Sequence, residues 1–203
     1  MFITLEGPDG SGKSTLAKGL CAALQARGFS VVLTREPGEG EFGASIRSIL
    51  LHGGDMSQKA ELFLFLADRA EHVESFVKPA LEAGKIVICD RYADSTVVYQ
   101  GYARGLHLDL LRELNTFATT GLVPDLTLLL DLPPEVGISR VPEKNRLDSA
   151  SADFHIAVRN GFLAEAKLEP GRFAVLDAMR SAEDVLAGAL EVVDARLRMA
   201  GRV

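Results

Sequence analysis

Residues 7–14 read Gly7-Pro8-Asp9-Gly10-Ser11-Gly12-Lys13-Ser14, a G-x-x-x-x-G-K-[ST] run. Such a loop constrains the fold because it works in only one setting. Its glycines let successive backbone N–H groups turn inward onto a phosphate chain. Lys13 adds a point charge at the β- and γ-phosphates, and the Ser14 hydroxyl can ligate Mg²⁺. The phosphates must then rest on the positive N-terminus of the following helix. A random chain of this length would match the pattern about 0.01 times. The flanks agree with the requirement: Phe2-Ile3-Thr4-Leu5 is strand-like, and Ser14 to Arg27 is helix-like, with Leu16, Leu20 and Leu24 on one face and Gly28 as its stop.

Four more short apolar runs read as buried strands: Val31–Thr34, Ile86–Cys89, Leu126–Leu130 and Phe173–Leu176. Helical patterns lie between them. Gln58 to Val77 places Leu62, Phe63, Leu66, Ala70 and Val73 at helical spacing, Pro79 kinks or restarts that helix, and Gly84 ends it. Asp109–Ala118 and Ala152–Ala166 are further helices, and Ser181-Ala182-Glu183-Asp184 opens a last one that runs to about Met199. This alternation predicts an α/β fold: a doubly wound, five-stranded parallel sheet flanked by helices, with ligands at the carboxyl ends of the strands. At 203 residues the chain makes one domain, with a short lid at about residues 140–150.

A net charge of −6 argues against a general nucleic-acid or membrane binder. No run approaches 18 apolar residues, the chain starts directly in a strand, and the only cysteines, Cys21 and Cys89, fall in helix and strand patterns. A cytoplasmic setting with two buried thiols is expected. His52, His72, His107 and His155 show no ligand-like pairing and read as surface or packing residues.

Three further clusters fall where strands should end. Thr34-Arg35-Glu36-Pro37-Gly38 follows the second strand, and Asp90-Arg91-Tyr92 follows the third. An acid at the end of a buried strand suits Mg²⁺, and Arg91 beside it suits a phosphate. The third cluster is the Pro-interrupted stretch Arg140–Asp148, with Lys144 and Arg146, whose charge can close over a polyphosphate. Structural ion pairing at Asp90-Arg91 and simple solvation of the basic loop are the alternatives. No guanine-reading Asn-Lys-x-Asp is present, and Asp131 is followed by Leu132 rather than Glu. Arg35, Arg69 and Arg91, spread over three strand-to-helix segments, suit an anionic acceptor opposite the phosphate loop. An acceptor that is itself a phosphate needs no general base.

Together with the loop, the segments Arg35-Glu36-Pro37-Gly38, Ala67-Asp68-Arg69, Asp90-Arg91-Tyr92, Ser95-Thr96-x-x-Tyr99-Gln100-Gly101 and Pro124–Asp131 resemble bacterial thymidylate kinases, a family of P-loop nucleoside monophosphate kinases. The resemblance covers about residues 2–177. It implies transfer from ATP, with Mg²⁺, to dTMP, in a homodimer. Another monophosphate or small-metabolite kinase, or a slow ATPase switch, is the competing reading.

The same resemblance implies residue roles. Gly7, Pro8, Asp9, Gly10, Ser11, Gly12, Lys13 and Ser14 hold the ATP phosphates, and Ser14, Asp9 and Asp90 serve the metal. Arg91, with Arg35, grips the dTMP phosphate. Phe65 stacks on thymine, Arg69 donates to a base carbonyl and Pro37 lies near the base methyl. Thr96 and Gln100 approach the base edge, Tyr99 the deoxyribose, and Glu36 and Ser95 complete the acceptor side. Lys13, Arg91, Asp9, Arg140 and Arg146 are the catalytic set, because Gly10 leaves the phosphate loop without an arginine. Glu39-Gly40 stands where relatives often carry Gly-Thr.

Overall fold

The computed structural model describes residues 1–140 and 151–201. The expected lid, with Lys144 and Arg146, therefore lies outside the described residues except for Arg140. Five strands, β1 (Phe2–Glu6), β2 (Val31–Arg35), β3 (Ile86–Asp90), β4 (Leu126–Asp131) and β5 (Phe173–Asp177), form one sheet in the order β2-β3-β1-β4-β5. Every neighbouring pair is parallel. The expected α/β doubly wound sheet is the observed one.

Alternation along β1 explains how the sheet is covered. Ile3 and Leu5 point to one face, where they meet Leu16 and Leu20 of α1 (Lys13–Ala26) and Val185, Ala189 and Val193 of α9 (Ala182–Met199). Phe2 points to the other face and packs on Tyr92 edge to face at 4.9 Å. Thr4, on that same face, shares a hydrogen bond of 2.9 Å with Thr127 of β4. This second face is covered by α3 (Gln58–His72), α6 (Leu108–Thr119) and α8 (Ala152–Leu168) with their neighbours.

Caps follow the sequence. Ser181 Oγ accepts from the Asp184 N–H at 3.1 Å, Ser57 from Ala60 at 3.2 Å and Ser151 from Phe154 at 3.3 Å. The helix expected over Gln58–Val77 runs as α3, a π-helical turn at Val73–Val77, and α4 (Lys78–Glu82). Pro79 does not break it, because the π turn lets the Lys78 N–H bond to the Val73 carbonyl five residues back. Phe63, expected on the apolar face, is 60% exposed, while Leu62, Leu66 and Val73 are buried. Helices α2 (Gly40–His52), α5 (Ala93–Thr96), which continues as a π-helical segment over Val97–Ala103, and α7 (Pro134–Arg140) were not expected. Arg140, read as part of a loop, is the last residue of α7.

Candidate active site

A parallel sheet delivers all its carboxyl ends to one edge, so Glu6, Arg35 and Asp90 finish side by side. The phosphate loop leaves β1 there and enters α1. Lys13 is almost fully buried, and its Nζ donates to the carbonyls of Gly7 at 2.9 Å and Pro8 at 2.7 Å. Burial, reinforced by the Arg91 charge, pushes its pKa down to about 8. The Ser14 hydroxyl donates to Asp90 Oδ2 at 2.6 Å. Hydroxyl and carboxylate oxygens held this close are a hard donor pair that fits Mg²⁺.

Gly10 adopts φ 75°. A Cβ there would fall on the backbone of Gly137 in α7, and a Cβ on Gly137 would fall on the Asp9 carbonyl. The loop and α7 therefore touch backbone to backbone. This leaves no room for a side chain at position 10.

Arg91 opens the segment after β3 with φ 73°, a left-handed conformation that is uncommon outside glycine. Its N–H donates to the Leu5 carbonyl at 3.0 Å. Its guanidinium pairs with Asp9 Oδ1, donates to Ser95 Oγ at 3.3 Å and lies over the Tyr99 ring at 5.2 Å. The Tyr99 hydroxyl donates to the other Asp9 oxygen at 2.9 Å. Burial works against ionisation of Asp9, but the Arg91 and Lys13 charges outweigh it and hold the carboxyl below its usual range. Beneath this set lies Glu6, fully buried at the end of β1. It accepts from the Tyr92 N–H at 2.8 Å, the Ser95 N–H at 3.3 Å and the Ser95 hydroxyl at 2.6 Å. Glu6 so ties the strand that launches the loop to the segment that carries Arg91.

Glu36 anchors the other wall. Its carboxylate accepts from Arg69 Nε at 2.8 Å and bonds His72 Nδ1 at 2.8 Å. Arg69 is almost fully buried and also donates to Thr96 Oγ1, Asn115 Oδ1 and the Tyr92 carbonyl, at 2.8, 2.6 and 3.0 Å. Arg69 is thus a structural tie as well as part of the wall, and it does not join Arg91 and Arg35 around one anion. Arg47 of α2 shares a cleft with both and donates to the Pro37 carbonyl at 2.9 Å. Burial, with the nearby Arg35 and Arg91 charges, lowers its pKa.

Ligand atoms of Glu36, His72 and Cys89 lie within 4.8 Å of one another. They are already engaged: His72 Nε2 bonds Thr34 Oγ1 at 2.8 Å, and the Cys89 thiol donates to the Arg91 carbonyl at 3.0 Å. Burial, with the Glu36 charge, raises the Cys89 pKa well above its ordinary value, which opposes thiolate ligation. The group reads as a hydrogen-bonded core.

Two clefts meet at this edge. One lies over Gly12, Lys13, Ser14 and Asp90; the other is lined by Pro37, Phe65, Arg69, Thr96, Tyr99 and Gln100. Asp9, Glu36, Arg47 and Arg91 line both. A third cleft opens beside the loop between Thr15, Arg140 and Arg180. Here Arg140 Nη1 donates to the Ala178 carbonyl at 3.3 Å.

The sequence model of the thymidylate kinase family matches residues 5–188. The thymidylate kinase of Desulfovibrio desulfuricans is 52% identical over 214 residues, which span 100% of this chain and 99% of that protein. That of a Synechococcus strain is 49% identical, over 98% and 97% of the two chains. The chain belongs to the thymidylate kinase family. The crystal structure of thymidylate kinase from Ehrlichia chaffeensis superposes with a TM-score of 0.82 at 34% identity, covering 95% of this chain and 98% of that one. As a thymidylate kinase relative over its whole length, the chain is a P-loop phosphotransferase.

Of the residues singled out in the sequence, Asp9, Glu36 and Arg91 line both clefts, Lys13, Ser14, Arg35 and Asp90 the first, and Pro37, Phe65, Arg69, Ser95, Thr96, Tyr99 and Gln100 the second. Both Asp9 carboxylate oxygens are engaged, one by Arg91 and the other by Tyr99. Arg69 is committed to buried partners. Arg140 faces the third cleft, and Arg146 lies outside the described residues. Arg47, Arg104 and Phe154 line the acceptor cleft unannounced. Arg47 rides on a helix whose Gly-Glu-Gly-Glu opening hides it. The other two reach the cleft through tertiary packing that no local pattern signals.

Proposed function

We propose that this chain transfers the γ-phosphoryl group of ATP to dTMP, giving ADP and dTDP, with Mg²⁺ as the required ion. The reading rests chiefly on the two clefts that share Asp9 and Arg91. A phosphate loop needs one nucleotide; a second cleft meeting it at an arginine calls for a second, anionic one. ATP phosphates lie along Gly7–Ser14, with Lys13 exchanging its carbonyl partners for β- and γ-oxygens, and the adenine reaches the third cleft between Arg140 and Arg180. Mg²⁺ at Ser14 and Asp90 would offset phosphate charge. Arg91, Arg35 and Arg47 hold the dTMP phosphate in line with the γ-phosphorus. No base is required, since the attacking oxygen is already ionised near neutral pH. Arg146 supplies positive charge to the transferring group, while Arg140, which lines the third cleft, borders the adenine.

Phe65 stacks on thymine, worth about 1–3 kcal/mol, with Arg69, Thr96 and Gln100 at its edge and Pro37 by its methyl. Tyr99, fixed by Asp9, crowds a 2′-hydroxyl and favours deoxyribose. Exposed Phe42, Ile49, Phe63 and Phe117 on α2, α3 and α6 support a homodimer formed through those helices. Among the described residues no helix is long and apolar enough to cross a membrane, in line with a cytoplasmic enzyme.

A coupled assay of ADP release tests the reading. Turnover should require dTMP, ATP and Mg²⁺ together and stop on chelation. Lys13→Ala should lower kcat by about 10²–10⁴ in a folded protein. ADP release that ignores dTMP would refute the transfer.

A further inference from the structure

Gln100, in the π-helical segment, is buried and lines the acceptor cleft. A primary amide has two ends of opposite meaning, since NH₂ donates and C=O accepts. The end that faces the cleft decides which base edge fits there. Glu61, on the first turn of α3 and also buried, fixes the choice. Gln100 Nε2 donates to Glu61 Oε1 at 3.2 Å. The same oxygen lies 3.2 Å from Arg104 Nη2 in an ion pair, so it is a carboxylate acceptor facing an amide donor and a cation. Arg104 is in turn held over the Phe154 ring at 5.7 Å. Turning the Gln100 amide over would set its oxygen against Glu61 Oε1, two buried acceptors face to face. The Gln100 oxygen has no hydrogen bond to a described residue and is not among the sealed, unpartnered atoms, so it opens on the cleft that Gln100 lines.

We propose that Glu61 is a specificity-determining positioning residue: by holding the Gln100 amide it presents a carbonyl acceptor to the base, selecting a pyrimidine whose ring N3 carries a proton. Thymine and uracil meet this condition. Cytosine does not, because its N3 is itself an acceptor and would face the Gln100 oxygen. A rotation of Gln100 to suit cytosine is blocked by Glu61. The proposal rests on the dTMP reading above and deepens it. Discrimination by a buried hydrogen-bonding group is the strong kind, because the wrong partner leaves the group unpaired.

The test compares kcat/KM for dTMP and dCMP in the wild-type chain and in Glu61→Gln, whose own amide can turn either end toward Gln100. The dTMP-to-dCMP ratio should fall by about tenfold or more, mainly through KM for the monophosphates, with KM for ATP unchanged. An unchanged ratio in a folded variant overturns the proposal and leaves the dTMP reading standing. A wild-type chain that is inactive on dTMP but active on another monophosphate overturns the reading itself. If Glu61→Gln does not fold, the wild-type protein carries the test. Its Gln100 side-chain NH₂ protons should exchange with D₂O about tenfold more slowly than those of exposed Gln58, and equal exchange rates would refute the held amide.

Discussion

Glu6 sits one residue ahead of the phosphate loop, sealed from water, and holds the Arg91–Ser95 segment through three hydrogen bonds. Burial, and next the Asp94 charge, push its pKa from 4.5 up to about 7. An acid whose folded pKa is raised contributes stability that is complete below the unfolded value and lost as pH rises through the folded one. The wild type should therefore lose stability relative to Glu6→Gln between about pH 4.5 and pH 7. Gln at this position keeps an acceptor for both N–H groups and a donor for the Ser95 oxygen. Thermal unfolding of both proteins from pH 5 to pH 8 checks it, and parallel curves would remove Glu6 as the source. At this scale the sequence was legible where chemistry is local. Lys13, Ser14, Asp90 and Arg91 could be read because a motif or a strand end fixes what each side chain meets. Glu61, Arg47 and Arg104 could not, since their meaning arises from partners far along the chain. Arg69 was half legible: its segment marks it for the cleft, but its four partners come from α5, α6 and the segments that follow β2 and β3.

Among the elements, α7 carries the closest constraint. Its Gly137 backbone lies against Asp9 and Gly10, so the short helix after β4 wedges the phosphate loop in place. Gly137 has an ordinary helical backbone, and a methyl group there meets only a lack of space. Gly137→Ala should lower stability by about 1–3 kcal/mol, as overpacking does, and weaken ATP binding at least several-fold while dTMP binding holds. Calorimetric titration of each nucleotide checks this, and unchanged ATP affinity would mean that the wedge does not act on the loop. The strands and the long helices were legible because apolar runs and 3.6-residue periodicity are properties of the chain itself. Helices α2, α5 and α7 were not. Each is short or opens on glycine or proline, and each is held by a neighbouring helix rather than by its own pattern: α2 packs on α3, α5 on the π-helical segment that continues it, and α7 on α8. The π turn before Pro79 belongs to the same class, as a local adjustment made to keep a packed helix continuous.

For the whole molecule, the order β2-β3-β1-β4-β5 explains why clusters separated by dozens of residues become one site. β1 is flanked by β3 and β4, so the phosphate loop emerges between the Asp90-Arg91 corner and Asp131. The face built by α2, α3 and α6 leaves Phe63 60% and Phe117 84% exposed. Sedimentation should give twice the chain mass of 21.8 kDa, and Phe63→Glu with Phe117→Glu should shift it to the monomer. A monomeric wild type would refute the homodimer. Two clefts, one for each nucleotide in the proposed reaction, meet at Asp9 and Arg91. Separate titration of ATP and dTMP into Arg91→Ala tests this most directly. A charged phosphate contact is worth about 1.5–3 kcal/mol, so dTMP affinity should fall by roughly 10- to 100-fold while ATP affinity stays within about twofold. An equal loss for both nucleotides, or a loss confined to ATP, would contradict the division of the site.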